Sequence, residues 1–161
     1  MANPYASYLS SLDPIAVITQ TPQTISELIS HLSLEQLNRA HAPDKWSVRE
    51  ILCHLADLEM VFAVRLRQSL AQPLHLIQPF DQDDWAVRYK APKSQYTAAS
   101  AFALFHAART WDLQLIASAT PEDFARPLSH PELGDITFRT IIETLAGHDL
   151  NHIGQIEQLA R

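Results

Sequence analysis

The segment Gly147-His148-Asp149-Leu150-Asn151-His152 sets two imidazoles four residues apart. On a helix that is about one turn, so both rings leave one side and can converge on a single ion, as the histidines of helical zinc sites do. With about 100° per residue and Ile141 taken as zero, His148 and His152 fall roughly 20° to either side of zero, inside the apolar stripe of Ile141, Leu145 and Leu159. Imidazoles in an apolar stripe need partners: a divalent cation satisfies both, and hydrogen bonds are the alternative. In a chain with 8 histidines among 161 residues such a pair also arises from composition, so its place on the stripe carries the argument.

A third imidazole is available in the run KWSVREILCHLADLE. His54 stands about 60° from Ile51, at the edge of the sector defined by Leu55, Leu58 and Phe62. It either looks into the interior or sits half-buried at the boundary. Three imidazoles from two facing helices would make a facial site with open positions, the arrangement of a catalytic metal. His106, near Phe102 and Leu113, could compete as a ligand, but it lacks a partner one turn away and the reading without a metal role is favoured. Arg109 shares its stripe, and a buried guanidinium needs an anion: a carboxylate such as Glu50 or Asp57, or a ligand. Solvent exposure accounts for His31, His41, His75 and His130, and Cys53, on the far side of its helix from His54, is neither ligand nor nucleophile.

These residues require helices to place them. Three glycines make little provision for β-turns, and ten prolines punctuate a chain rich in Leu, Ala, Gln and Glu. The first long helix is expected from Pro14 to Leu32, kinked or divided at Pro22. The second opens at Ser47, whose side chain forms a capping box with Glu50, and runs to about Leu70. The third runs from Ser94 to before Thr120, and the fourth from Thr137 onward. Between the second and third lie Ala71 to Lys93, with Pro73, Pro79 and Pro92. That is long enough to cross the bundle and make those helices parallel. Within it, DQDDWAVRY forms one or two helical turns that lay Trp85 and Tyr89 against an opening, or else these aromatics seal one end of the core. The fold class is all-α, a four-helix bundle.

Composition excludes other classes. Eighteen Asp and Glu against 12 Lys and Arg leave a net charge of −6, so no basic field exists for nucleic acid. One cysteine permits neither an intramolecular disulfide nor a thiolate zinc cluster, which fits a reducing cytosol. The start MANPYASYLSSLDP lacks the pattern of a secretory signal, and no window approaches the roughly 20 apolar residues of a membrane span. One cytoplasmic domain over residues 1–161 is expected, with no membrane partner. At this length it needs no metal merely to fold, so a metal would be functional.

KWSVREILCHLADLE, FDQDDWAVRY, HPELGDITFRTI and AGHDLNHIGQI together resemble the DinB-like superfamily, from about Ala40 to Ile156. The resemblance implies a four-helix bundle of up-down-down-up topology, a divalent metal (zinc, nickel or iron) on His54, His148 and His152, and often a homodimer. Some members are thiol-dependent transferases, one is a thiol-dependent isomerase, and others are labelled hydrolases. The implied activity is activation of a low-molecular-weight thiol or water toward a small-molecule substrate, with Glu50, Asp57, Trp85, Tyr89 and Arg109 supporting the site or lining its pocket. The alternative is a non-catalytic, stress-associated bundle that acts through another protein.

Overall fold

Capping side chains and prolines set the helix ends. In the computed structural model, which describes residues 3–42, 45–91 and 93–161, Asp13 accepts from the Ile15 and Ala16 N–H groups ahead of Pro14 and opens α2 (Pro14–Ile29), which follows the short α1 (Ala6–Leu9). The helix stops three residues earlier than expected because Ser33 and Gln36 form a capping box of their own and start α3 (Leu34–Asn38). At α4 (Val48–Ala71), Ser47 Oγ accepts from the Glu50 N–H at 3.3 Å while Glu50 Oε2 accepts from the Ser47 N–H at 2.8 Å. The crossover carries α5 (Gln82–Lys90), capped by Asp81. Pro92 lies outside the described residues. Thr97, not Ser94, caps α6 (Ala98–Ser118); Ser94 instead accepts from the Tyr96 N–H in the preceding turn.

The region before the last helix departs from an all-helical pattern. After α7 (Pro121–Phe124), strands β1 (Pro127–His130) and β2 (Gly134–Thr137) pair antiparallel, with Pro127 opposite Thr137 and His130 opposite Gly134. Gly134 leaves the turn at φ +79, where a side chain would be strained. The crossover is stitched to this hairpin, since the Ile77 N–H donates to Ser129 O and the Ser129 N–H to His75 O. Thr137 then caps α8 (Phe138–Leu159).

The two ends of the core give the helix directions. One cluster joins Ile18 early in α2, Leu58, Phe62 and Leu66 late in α4, Ile116 at the end of α6, and Phe138, Ile141 and Leu145 early in α8. The other joins Ile25, late in α2, with Val48 to Ala56 at the start of α4, Ala98 to Phe105 at the start of α6, and Ile156 late in α8. So α2 and α8 run one way and α4 and α6 the other: an up-down-down-up four-helix bundle whose parallel middle pair is joined by the long crossover.

Arg109 ties all four long helices together between those clusters. Its Nε and Nη2 donate to Glu59 of α4 at 2.7 and 2.8 Å, and its Nη1 and Nη2 to Asp149 of α8 at 2.6 and 3.2 Å. Nη1 also donates to Ile18 O of α2 at 3.0 Å. That carbonyl is four residues before Pro22, which has no N–H to offer it, so the guanidinium supplies the missing donor. The partners are therefore not Glu50 or Asp57. Glu50 is committed to its cap, and Asp57 lies about 160° around α4 from Glu59, on the side turned toward α5. Burial opposes the charge of Arg109, but Asp149 and Glu59 outweigh it and raise its pKa.

Candidate functional site

His54 comes from the second turn of α4, and His148 and His152 come from successive turns of the antiparallel α8. All three are buried, and their ring nitrogens lie within 4.8 Å of one another. His148 Nε2 is 3.0 Å from His54 Nε2 and 3.1 Å from His152 Nε2. Two nitrogens on one ion at about 2.0–2.1 Å stand roughly 3 Å apart, so the spacing fits shared coordination. Gln155 Oε1 lies 2.9 Å from His152 Nδ1, which assigns the His152 proton to Nδ1 and leaves an Nε2 lone pair facing the cluster. A single Nε2 proton on His148 could satisfy only one of its neighbours, whereas an ion satisfies all three.

The environment keeps these rings neutral. Burial, reinforced by His152, pulls the His54 pKa down to about 3. Burial lowers His148 far below the usual histidine value, with His152, His54 and Arg109 adding to it. His152 is lowered by burial against the opposing bond to Gln155. Neutral imidazole is the form that ligates a metal.

A cavity of about 500 Å³ opens onto His54 and His152. Asn151, Gln155 and Gln158 of α8 form a carboxamide wall at helical spacing, facing Gln82 and Asp83 at the start of α5. Tyr5, His41, Lys45 and Trp46 complete the lining with Ile51 and Leu159. The Trp46 ring meets His54 edge to face at 4.9 Å and lies parallel to His152 at 6.4 Å.

The structure brings the three expected histidines together but redistributes their surroundings. The crossover reaches the cavity through Gln82 and Asp83, whereas Trp85 is exposed and packs on Phe80, and Tyr89 is buried beside Trp46 and Tyr96. Neither Trp85 nor Tyr89 lines the opening, because α5 presents its first turn there and turns Tyr89 onto α4. His106 is exposed against Phe102. Cys53 is buried, and burial pushes its thiol up to about 11. Asn151 and Gln155 were findable from their spacing around His152. Tyr5, His41 and Trp46 come from separate segments and carried no periodic signal.

Fold and cluster together define a class: a four-helix bundle with three neutral imidazoles from two antiparallel helices beneath a polar cavity. The chain belongs to the DinB superfamily, whose family model matches residues 18–156. It is 28% identical over 144 residues, 89% of this chain and 82% of the relative, to a protein of Oceanobacillus iheyensis named "putative metal-dependent hydrolase". It is 26% identical to YfiT of Bacillus subtilis, which carries the same name, over 91% of this chain and 82% of YfiT. The solved structure of YfiT superposes with a TM-score of 0.81 at 24% identity, covering 92% of this chain and 84% of that one, and is described as having "an unusual four-helix bundle topology".

Proposed function

We propose that the protein is a metal-dependent enzyme in which His54, His148 and His152 hold a divalent zinc, nickel or iron ion and activate water or a low-molecular-weight thiol against a small-molecule substrate. The observation that carries this reading is the convergence of three neutral Nε2 atoms, with the rings of two of them, His54 and His152, lining the cavity. Imidazole donors suit all three metals. An ion held there lowers the pKa of a water or thiol brought to it. Among the described residues Asp83 is the carboxylate lining the cavity and the candidate to accept the proton released, since Glu59 and Asp149 are committed to Arg109. Asn151, Gln155 and Gln158 offer hydrogen bonds to polar parts of the substrate, and Trp46 shields the rings of His54 and His152 from water.

The names of the relatives favour hydrolysis, while thiol transfer demands no general base inside the histidine motif. The same reading takes residues 1–161 as one cytoplasmic domain, supported by two core clusters that each draw on all four long helices. Met60 and Val64 on α4 and Leu104 and Trp111 on α6 are exposed apolar side chains on two helices that pack together, and are the candidate surface for a homodimer.

The test is metal content. Purified protein is expected to carry near-stoichiometric metal and His152→Ala to lose it; equal content in both would sink the reading. Metal-loaded protein is then offered an electrophile with a panel of low-molecular-weight thiols and, separately, a panel of esters and amides. Metal-dependent turnover of either kind identifies the reaction. Loss of metal in the variant without turnover on any panel leaves a metal-binding bundle and removes the enzymatic part.

A further inference from the structure

Gly147 precedes the first ligand histidine of α8, at a position where any residue except proline would favour the helix more. A Cβ built there would stand 2.4 Å from Tyr5 O and 2.8 Å from Tyr5 Cβ. The glycine is therefore the seat of the segment 3–12, whose backbone lies directly on α8. Leu9 anchors the same segment in the core among Ile18, Leu58 and Ile142, and the Tyr5 N–H donates to Asn3 Oδ1. The seat delivers one side chain to the site: the Tyr5 ring meets the His148 ring edge to face at 5.1 Å and lines the cavity with His54 and His152. Tyr8, one turn further on, is exposed and absent from that lining.

We propose that residues 3–12 are a wall of the functional site, latched by Gly147, and that the Tyr5 ring shields His148 and determines what reaches the cluster from that side. Trp46 covers His54 and His152, and Tyr5 covers the third imidazole. Access is thereby confined to the mouth between the carboxamide wall of α8 and the first turn of α5. This makes Tyr5 a specificity-determining residue of the site, acting through the bulk of its ring. The shielding itself is a property of the metal-free protein, and only the second readout below rests on the metal-site reading.

The first experiment treats metal-free protein with diethyl pyrocarbonate and follows carbethoxylation of His148 by mass spectrometry. Tyr5→Ala and Gly147→Ala are expected to react about 5-fold to 10-fold faster than the parent, and Tyr5→Phe and Tyr8→Ala at the parental rate. Unchanged modification in Tyr5→Ala, or faster modification in Tyr5→Phe, overturns the proposal. If Gly147→Ala fails to fold by circular dichroism, Tyr5→Ala still decides the point. The second experiment removes cobalt from loaded protein with a chelator, and extraction is expected to be several-fold faster from Tyr5→Ala than from Tyr8→Ala. Equal extraction rates from proteins that do bind cobalt overturn the wall. A chain that binds no cobalt at all overturns the metal reading while the first experiment continues to test the wall.

Discussion

Three imidazoles packed against one another inside a bundle are poorly served by hydrogen bonds alone, and the side chain of Gln155 shows how the cluster is arranged instead. By accepting from His152 Nδ1 at 2.9 Å it holds the ring in the tautomer whose Nε2 faces inward and restrains its rotation. His148 has no such support, since its Nδ1 is buried without a hydrogen-bond partner among the described residues, and ring contacts with Tyr5, His54 and His152 orient it. Gln155 thus fixes the orientation of one imidazole of the cluster and lines the cavity. Gln155→Ala is expected to weaken divalent-metal affinity by roughly 10-fold to 100-fold, the usual effect of removing a group that orients a ligand, with the fold intact. Competition titration against a chromophoric chelator measures it. Parental affinity in the variant would mean that packing against Trp46 alone orients His152.

At the scale of the helix, Pro22 shows why a locally unfavourable residue is tolerated. Proline in a helix interior costs about 3 kcal/mol relative to alanine, partly because the carbonyl four residues back loses its donor. Here that carbonyl, Ile18 O, receives Arg109 Nη1, so much of the loss is already offset. Pro22→Ala should therefore stabilise the protein by well under 3 kcal/mol, because the restored N–H competes with the guanidinium for one acceptor. Urea denaturation gives the value, and the full gain would show that Arg109 contributes nothing there. Such arrangements mark the limit of what sequence pattern conveys. The capping box at Ser47, the apolar stripes and the crossover length were legible because each is a local rule, and together they gave the bundle, put His148 and His152 on an inward face and left His54 at the edge of one. The partner of Arg109 was not legible. Glu59 and Asp149 are chosen by the rotation of three helices about their axes, and a carboxylate about 80° from a stripe centre reads as solvent-facing until a neighbouring helix covers it. The hairpin 127–137 escaped because its strands are four residues long with one glycine, and their pairing depends on the crossover lying alongside at Leu76 to Ile77. Tyr5 and Trp46 reach the site from segments whose position no periodicity specifies.

Across the whole molecule, charge is distributed unevenly between surface and interior. Glu59, Asp112, Asp149 and Arg109 are all buried; one guanidinium serves Glu59 and Asp149 while Asp112 pairs with the partly exposed Arg67, so the buried acidic groups outnumber the buried basic one beside three neutral imidazoles. Burial pushes the Glu59 pKa up to about 7, with Asp149 and Asp112 adding to the rise and Arg109 opposing it. Between the ordinary glutamate value near 4.5 and about 7, the folded protein holds a proton that the unfolded chain has released. Stability from Glu59 is thus fully present below the unfolded pKa and lost as pH rises through the folded one. The histidines act in the opposite sense, because the unfolded chain takes up protons below about 6.5 that the buried rings refuse, so their contribution falls with falling pH. The two effects partly cancel in the parent, and Glu59→Gln removes one of them while keeping an acceptor for Arg109. In metal-free protein, unfolding free energies of Glu59→Gln and parent measured by urea titration should diverge as pH rises from about 4.5 to 7. The variant should gain up to about 1.4 kcal/mol per pH unit over the parent, the linkage of one proton. Parallel curves across that window would mean that Glu59 is already ionised there, its charge fully compensated by Arg109. A divalent cation on the adjacent imidazoles adds positive charge to this acidic interior, so metal loading should move the divergence to lower pH as it favours the ionised carboxylate.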